Sequence, residues 1–460
     1  MPQDSFAVVS PIDGSTYLTR EYAQESEIAQ KIEAARNAVR SWRRTPLAQR
    51  IALVRGFGEA MKARADELGD AVAWSIGRPR WQSDETPRLA LVGDLLAQGA
   101  ERVLSDRAFE SDTAIRRFVR PMPGGLHLSI CAWNYPTAML GYLVSQPLIA
   151  GNVVVLKHSP QTPLVAEIAA EAWKAAGGPE GVFQSIHLSH SDAERLISAG
   201  TFDAVNFIGS VAGGKRVHAA AGGTMTSVHL ELGGKDPAYI RADADIDRLA
   251  ADIAEGCFSN AGQSCCSVER IYVDRSIHDR FVDALMAETA KWTIGHPIEE
   301  KAMIGSVVNA GAAVRIRNQI EQAVAAGANR LVDATTSLGG AFVPAEVLTG
   351  VNHSMSIMRD ELFGPVAAVQ AVSGDDEAIA LMNDSEYGLS ASVWTQDIER
   401  GLELLDEVEA GTVYLNRCDH ADLYLPWGGV KDSGLGRTNG SMGLLETTAA
   451  KAFHIRQLGN

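Results

Sequence analysis

A pair of adjacent cysteines, a carboxylate followed by two glycines, and a glycine-rich turn ending in lysine are the parts of this sequence able to do chemistry. Residues 260–267 read Asn-Ala-Gly-Gln-Ser-Cys-Cys-Ser. That is a loop composition, and a loop thiol near a helix end can act as a nucleophile. A cysteine met in isolation is more often a small apolar side chain, so Cys265 and Cys266 alone leave both readings open. Glu231 precedes Leu232-Gly233-Gly234-Lys235 and closes an apolar run. A carboxylate placed there can sit in a cleft whose burial raises its proton affinity, which suits a general base. Residues 209–215, Gly-Ser-Val-Ala-Gly-Gly-Lys, have the spacing of a P-loop, but the next residue is Arg216 where a Mg²⁺-binding hydroxyl is needed. What remains is a glycine-rich turn from strand to helix, whose free N–H groups could face a pyrophosphate. His187 and His190 stand three apart without Cys or acidic partners at ligand spacing, so no metal site is expected.

These groups need elements to hold them. Apolar residues recur every three to four positions over 27–75, with Pro46 between two helices. Residues 113–120 and 126–132 both alternate around the turn at 121–125, which predicts a hairpin. Beyond it, strands at 153–157, 183–188 and 204–208 alternate with helices at 163–176 and 192–199, the pattern of a parallel sheet with crossover helices. A second alternation follows. Its strands fall near 237–241, 270–274, 366–372, 391–395 and 412–415, and its helices near 245–258, 275–291, 311–326, 375–383 and 397–409. Residues 447–456 are strand-like and free to join another sheet edge.

Composition narrows the function classes. With 460 residues and 46% hydrophobic content, the chain can bury large cores without disulfides. Its net charge of −16, with no run of Lys or Arg, speaks against nucleic-acid and membrane-surface partners. No apolar stretch approaches a bilayer span, and residues 1–20 lack the apolar core of a signal peptide. Five cysteines, an odd and sparse set, suit a reduced, cytoplasmic protein.

Taken together the motifs resemble the aldehyde dehydrogenase superfamily over nearly the whole chain. They come in the family's order and at its spacing: Trp133-Asn134-Tyr135-Pro136, Lys157, Phe207-Ile208-Gly209-Ser210, Glu231-Leu232-Gly233-Gly234-Lys235, Gly262-Gln263-Ser264-Cys265, Glu361-Leu362-Phe363-Gly364-Pro365-Val366, residues 411–416, and Pro426-Trp427-Gly428-Gly429. The resemblance implies an α/β fold with two Rossmann-like parallel-sheet domains, for cofactor and catalysis, plus a small β oligomerisation element. The NAD(P)-binding domain would take 1–103 and 123–233, the catalytic domain 234–440, and the oligomerisation element 104–122 and 441–460. It implies oxidation of an aldehyde to its acid through a thiohemiacetal and a thioester on Cys265. Asn134 and the Cys265 N–H would hold the oxyanion, and Glu231 would activate water. Cofactor contacts would come from Trp133, Lys157, Ser159, Gly209, Ser210, Glu231, Leu232, Gly233, Glu361 and Phe363. A homodimer or homotetramer is expected.

The sequence also departs from the family pattern. Pro160 stands where many members carry a Glu that binds the ribose and repels a 2′-phosphate, so the expectation is NAD with NADP left open. Leu143 and Thr438 replace a Lys and a Glu that help move protons from the base. Tyr142 replaces the Arg that binds the carboxylate in succinate-semialdehyde enzymes, which argues against a short acidic aldehyde. Asp419 and Asp422, in the loop before the last Gly-Gly pair, are candidates with Tyr142 for lining the substrate tunnel, and could welcome an aminoaldehyde. Glu231 weighs against the alternative of a coenzyme-A-acylating semialdehyde dehydrogenase. The intact Cys265, Glu231 and Asn134 weigh against a catalytically impaired binding protein.

Overall fold

Val-Val-Val-Leu-Lys at 153–157 has no polar face, and such a strand is stable only with both faces covered. In the computed structural model, which describes residues 5–111, 115–332 and 338–456, it lies inside a six-stranded sheet. The strand order is Gly434–Leu435, Ser227–Glu231, Ala204–Ile208, Leu126–Ile130, Val153–Lys157, Phe183–Ser185. All neighbours are parallel except the first pair. Helices Glu25–Arg44, Leu47–Lys62 and Pro163–Ala175 supply Trp42, Phe57 and Trp173 to this half of the core. With Phe183 they pack edge to face, ring centroids 5.9 to 6.3 Å apart, a geometry favoured by the ring quadrupole.

A second sheet has seven strands in the order Asn329–Arg330, Glu346–Thr349, Val366–Val372, Val268–Asp274, Asp236–Ile240, Ser390–Trp394, Thr412–Leu415. Only its first pair is antiparallel. The fold is therefore α/β, with two parallel-rich sheets. Among the described residues no helix is long and apolar enough to cross a membrane.

The expected hairpin between 113–120 and 126–132 is not formed. Ile115–Pro123 pairs with Thr448–Arg456 on one side and Arg107–Ala108 on the other, making a separate three-stranded sheet. Leu126–Ile130 instead enters the six-stranded sheet between 153–157 and 204–208. The two runs need different surroundings. Leu126–Ile130 is buried at every position, whereas Ile115–Pro123 keeps Arg116 and Arg120 in solvent. The turn at Gly124-Gly125, with Gly125 at φ 126°, redirects the chain between them. Positions 113 and 114 of the expected strand lie outside the described residues.

The topology brings all the chemical motifs to one place. Residues 131–134, Lys157, Gly209-Ser210 and Glu231 lie at the carboxyl ends of parallel strands, where open α/β sheets bind ligands. Cys265 and residues 361–365 directly precede strands Val268–Asp274 and Val366–Val372, so they approach from the amino ends of the second sheet.

Glu269 ties that approach together. Its carboxylate is 3% exposed and accepts from Lys235 Nζ at 2.6 Å, Leu362 N at 2.8 Å and Phe363 N at 2.9 Å. One oxygen pair thus joins the Glu231–Lys235 segment to the 361–365 loop. Glu269→Gln should strand the Lys235 cation in a dry site, which costs about 3–5 kcal/mol where a buried pair loses one partner. The expected result is a fall of several degrees in the thermal midpoint by differential scanning fluorimetry. An unchanged midpoint would mean that the pair does not hold the loop.

Candidate active site

The thiol loop is shaped by backbone conformations that few residues adopt. Asn260, Ala261 and Gly262 have φ of 52°, 58° and 68°. Left-handed alanine is strained, and the loop is held by side chains around it. Gln263, 1% exposed, accepts from Val308 N at 2.7 Å and donates to the Asn260 carbonyl at 3.1 Å. A Cβ on Gly262 would lie 2.2 Å from the Gly364 carbonyl oxygen, so only glycine fits against the 361–365 loop. Asn260 Nδ2 donates to the Asn134 carbonyl at 3.0 Å, and Asn134 Nδ2 donates to the Gln263 carbonyl at 3.1 Å. The Asn134 amide is therefore docked against the loop that carries Cys265, with a second N–H in hand.

Glu231 comes from the other sheet. Its strand register is set by Ala204–Ile208 on one side and Gly434–Leu435 on the other. Gly233 and Gly234 then let the backbone pass through a narrow gap. A Cβ on Gly233 would lie 2.2 Å from a Glu361 carboxylate oxygen, and one on Gly234 would lie 2.6 Å from the Cys265 carbonyl oxygen. Gly234 N donates to Glu361 at 3.2 Å. Burial pushes the Glu231 carboxyl up to about 7, opposed by a hydrogen bond from the Thr438 hydroxyl and by the charge of Arg437. It is thereby poised to take and lose a proton near neutrality.

Cys265 and Glu231 line one cavity of about 200 Å³. Tyr135, Ala138, Met139, Tyr142, Ile208 and Trp427 make its apolar wall, with Arg88, Asp419 and His420 among the polar groups. Tyr142 sits in a π-helical turn, Gly141–Ser145, a rare backbone form that recurs at functional sites. Cys265 is partly exposed, whereas Cys266 is buried and donates to Asp419 Oδ1 at 2.9 Å. Ser264 Oγ donates to the same oxygen at 2.9 Å. Burial pushes Asp419 up to about 7 against these two bonds.

Several sequence candidates fall elsewhere. Asp422 does not line this cavity; its carboxylate accepts from Tyr424 N at 2.8 Å. Leu143 is 1% exposed and packs in the core. Lys215, the lysine of the P-loop-like turn, pairs with Asp432 at 2.5 Å, and Arg216 pairs with Glu194. His187 pairs with Glu167 at 3.0 Å. Among the described residues no group of three His, Cys, Asp or Glu is placed to hold a metal. Arg88 and the Thr438 contact to Glu231 carry no local sequence signal; only the fold brings them here.

The residues expected to contact a dinucleotide lie at strand ends and at a helix N-terminus. Lys157 ends its strand, burial lowers its ammonium to about 8, and among the described residues no hydrogen bond engages its Nζ. Ser210 caps helix Val211–Ala221, accepting from Gly213 N at 3.2 Å, at an N-terminus suited to phosphate. Gly209 lies directly before that cap, and Ser159 lies two residues beyond Lys157, where its Oγ accepts from Gln161 N. Glu361 is half-buried, and its carboxyl is pushed up to about 7, first by desolvation and then by the Glu269 charge. Phe363, at φ 53°, presents its ring to Trp133 at 5.5 Å, edge to face. Leu232 N is held by the Ser433 carbonyl at 3.0 Å.

Comparison with known proteins places the chain among familiar relatives. Residues 1–453 match the model of the aldehyde dehydrogenase family. A succinate-semialdehyde dehydrogenase (NADP⁺) of Deinococcus radiodurans is 32% identical over 464 residues, covering 99% of this chain and 96% of that one. A betaine aldehyde dehydrogenase of Mesorhizobium japonicum is 31% identical over 460 residues, with 97% and 93% covered. Among solved structures, betaine aldehyde dehydrogenase from Staphylococcus aureus in complex with NAD⁺ superposes with a TM-score of 0.93 at 28% identity, covering 99% of this chain and 93% of that one.

The Thr438 contact gives a signed expectation. A hydroxyl that donates to a carboxylate favours its ionised form, so Thr438→Val should bind the Glu231 proton more tightly. The rate rises as Glu231 ionises, so the midpoint of the rising limb of kcat against pH should move alkaline from about 7. Turnover at neutral pH should fall with it. A limb that stayed in place would separate the two residues.

Proposed function

The chain belongs to the aldehyde dehydrogenase family, and we propose that its chemistry runs through Cys265, Glu231 and Asn134. It oxidises an aldehyde to the carboxylic acid with NAD or NADP as acceptor. The observation that carries the residue roles is that Cys265 and Glu231, from opposite sheets, line the same cavity. Cys265 Sγ attacks the aldehyde carbon, and the carbonyl oxygen takes up the negative charge. The free N–H of the Asn134 amide and the Cys265 backbone N–H stabilise that oxyanion. NAD(P)⁺, when bound, would supply the hydride acceptor that oxidation of the Cys265 adduct to a thioester requires. Lys157, Ser159, Gly209, Ser210, Gly233, Glu361 and Phe363 would hold it, with Trp133 and Leu232 shaping the groove. Glu231 then takes a proton from water as that water attacks the thioester carbon, and the C–S bond breaks to release the acid and the Cys265 thiolate.

Glu231 favours water over coenzyme A as acyl acceptor. Thr438 is the protic side chain bonded to Glu231, so its hydroxyl is the first stop for the proton that Leu143 has no atom to carry. We infer a homodimer or homotetramer. Thr448–Arg456 supports this as a nine-residue edge strand, largely exposed, of the kind that pairs with another chain. Five free cysteines support a reducing compartment such as the cytoplasm.

Cys265→Ala should abolish NAD(P)H formation from any aldehyde while cofactor binding, read by fluorescence quenching, persists. Retained turnover would overturn the nucleophile assignment. Glu231→Gln should give one burst of NAD(P)H per site and then stall, because acylation continues and hydrolysis does not. Steady turnover at the unmodified rate would remove Glu231 from the role of base.

A further inference from the structure

Arg88 makes no direct ion pair among the described residues, although its charge is felt by Glu85 and Asp419. It lies in the first turn of helix Thr86–Val103 and lines the cavity that holds Cys265. Its Nη2 donates to the Ala421 carbonyl at 2.6 Å and to the Tyr142 phenol oxygen at 3.2 Å. Nε and Nη1 engage no acceptor among the described residues, and no carboxylate there lies within 4.0 Å of the guanidinium. The nearest carboxylate in sequence, Glu85, is consumed by Arg78 Nη1 at 2.7 Å and by Thr137 N and Ala138 N at 2.9 and 2.8 Å. Asp419 spends one oxygen on Ser264 and Cys266.

A half-buried guanidinium, fixed by two wall groups and with donors to spare, is a fork waiting for a planar acceptor. Tyr135, Ala138, Met139, Tyr142, Ile208 and Trp427 give the cavity its apolar and aromatic wall, while Asp419 in it is bonded to Ser264 and Cys266. In a chain of net charge −16, a local cation in the cavity is what favours an anionic substrate there.

We propose that Arg88 determines specificity by anchoring the carboxylate of an aldehyde whose apolar or aromatic middle fills the cavity, its carbonyl carbon at Cys265. This rests on the reading of Cys265 as the nucleophile. It differs from the aminoaldehyde expectation: Asp422 is outside the cavity, Asp419 lines it but is bonded to Ser264 and Cys266, and a cationic aldehyde would face Arg88. It also explains how Tyr142 can stand in the tunnel of an enzyme for an acidic aldehyde: the phenol orients a guanidinium delivered by another helix.

The test compares kcat/KM for 4-carboxybenzaldehyde, 4-methylbenzaldehyde and 3-aminopropanal in the unmodified enzyme, Arg88→Gln and Arg88→Lys. The unmodified enzyme should prefer the carboxylated aldehyde. Arg88→Gln should cut that preference about tenfold to a hundredfold, mainly through KM, as loss of a charge-assisted pair requires. Arg88→Lys should restore part of it, since an ammonium lacks the fork. Equal loss on both benzaldehydes, or preference for the aminoaldehyde in the unmodified enzyme, would overturn the proposal. Calorimetry with the unreactive alcohols 4-(hydroxymethyl)benzoate and 4-methylbenzyl alcohol needs no turnover. Tighter binding of the carboxylate, lost in Arg88→Gln, supports the anchor, and equal binding sinks it. Absence of turnover with every aldehyde would instead count against the oxidation mechanism, leaving the calorimetry to decide Arg88.

Discussion

The site depends on one carboxylate that never meets the substrate. Glu269 is buried between the two sheets and accepts three hydrogen bonds, one from Lys235 and two from the backbone of Leu362 and Phe363. A buried charge is tolerable only when its bonding capacity is used, and here the groups that satisfy it belong to two separate motifs. Satisfying Glu269 therefore places Glu361 and Phe363 relative to the Gly233-Gly234 passage. That passage in turn places Glu231 and the Cys265 loop. Glu85 repeats the device on the other wall, where it holds the Thr137 and Ala138 N–H groups and so the turn after Asn134.

Burial also sets the acid–base character of the site. Glu231, Glu361 and Asp419 are carboxyls that solvent would leave fully ionised at neutral pH, and desolvation brings each to about 7. Their partners differ. Thr438 donates to Glu231, a backbone N–H donates to Glu361, and Ser264 with Cys266 donates to Asp419. Glu231 and Asp419 share the cavity with the Cys265 thiol, but Asp419 is tied to the thiol loop through Ser264 and Cys266, whereas Glu231 reaches the cavity from the other sheet.

Much of this was legible in the residues because it rests on local patterns. The strands at 153–157, 204–208 and 366–372 are apolar runs bounded by turns, and the chemical motifs sit at their ends. The misread hairpin shows the limit. Residues 115–123 and 126–130 look alike as strands around a turn, and only their pairing partners, more than 300 residues downstream in one case, decide which sheet each joins. Arg88 was illegible for a related reason. An arginine in the first turn of a helix is unremarkable until the fold lays that turn against Tyr142 and Ala421. Position 142 alone, read against family habit, points away from an acidic aldehyde; the guanidinium beside it comes from another element.

The division of labour between elements has an evolutionary consequence. The thiol loop is clamped by Gln263, Asn260 and glycine contacts too tight to admit a Cβ, so drift there breaks the enzyme. The opposite wall draws Arg88 from helix Thr86–Val103 and Tyr142 from the π-helical turn, residues that make none of those clamping hydrogen bonds. If Arg88 selects the substrate, substrate choice and bond-making can be inherited separately: residues such as Arg88 can be exchanged while the reacting groups stay where they are.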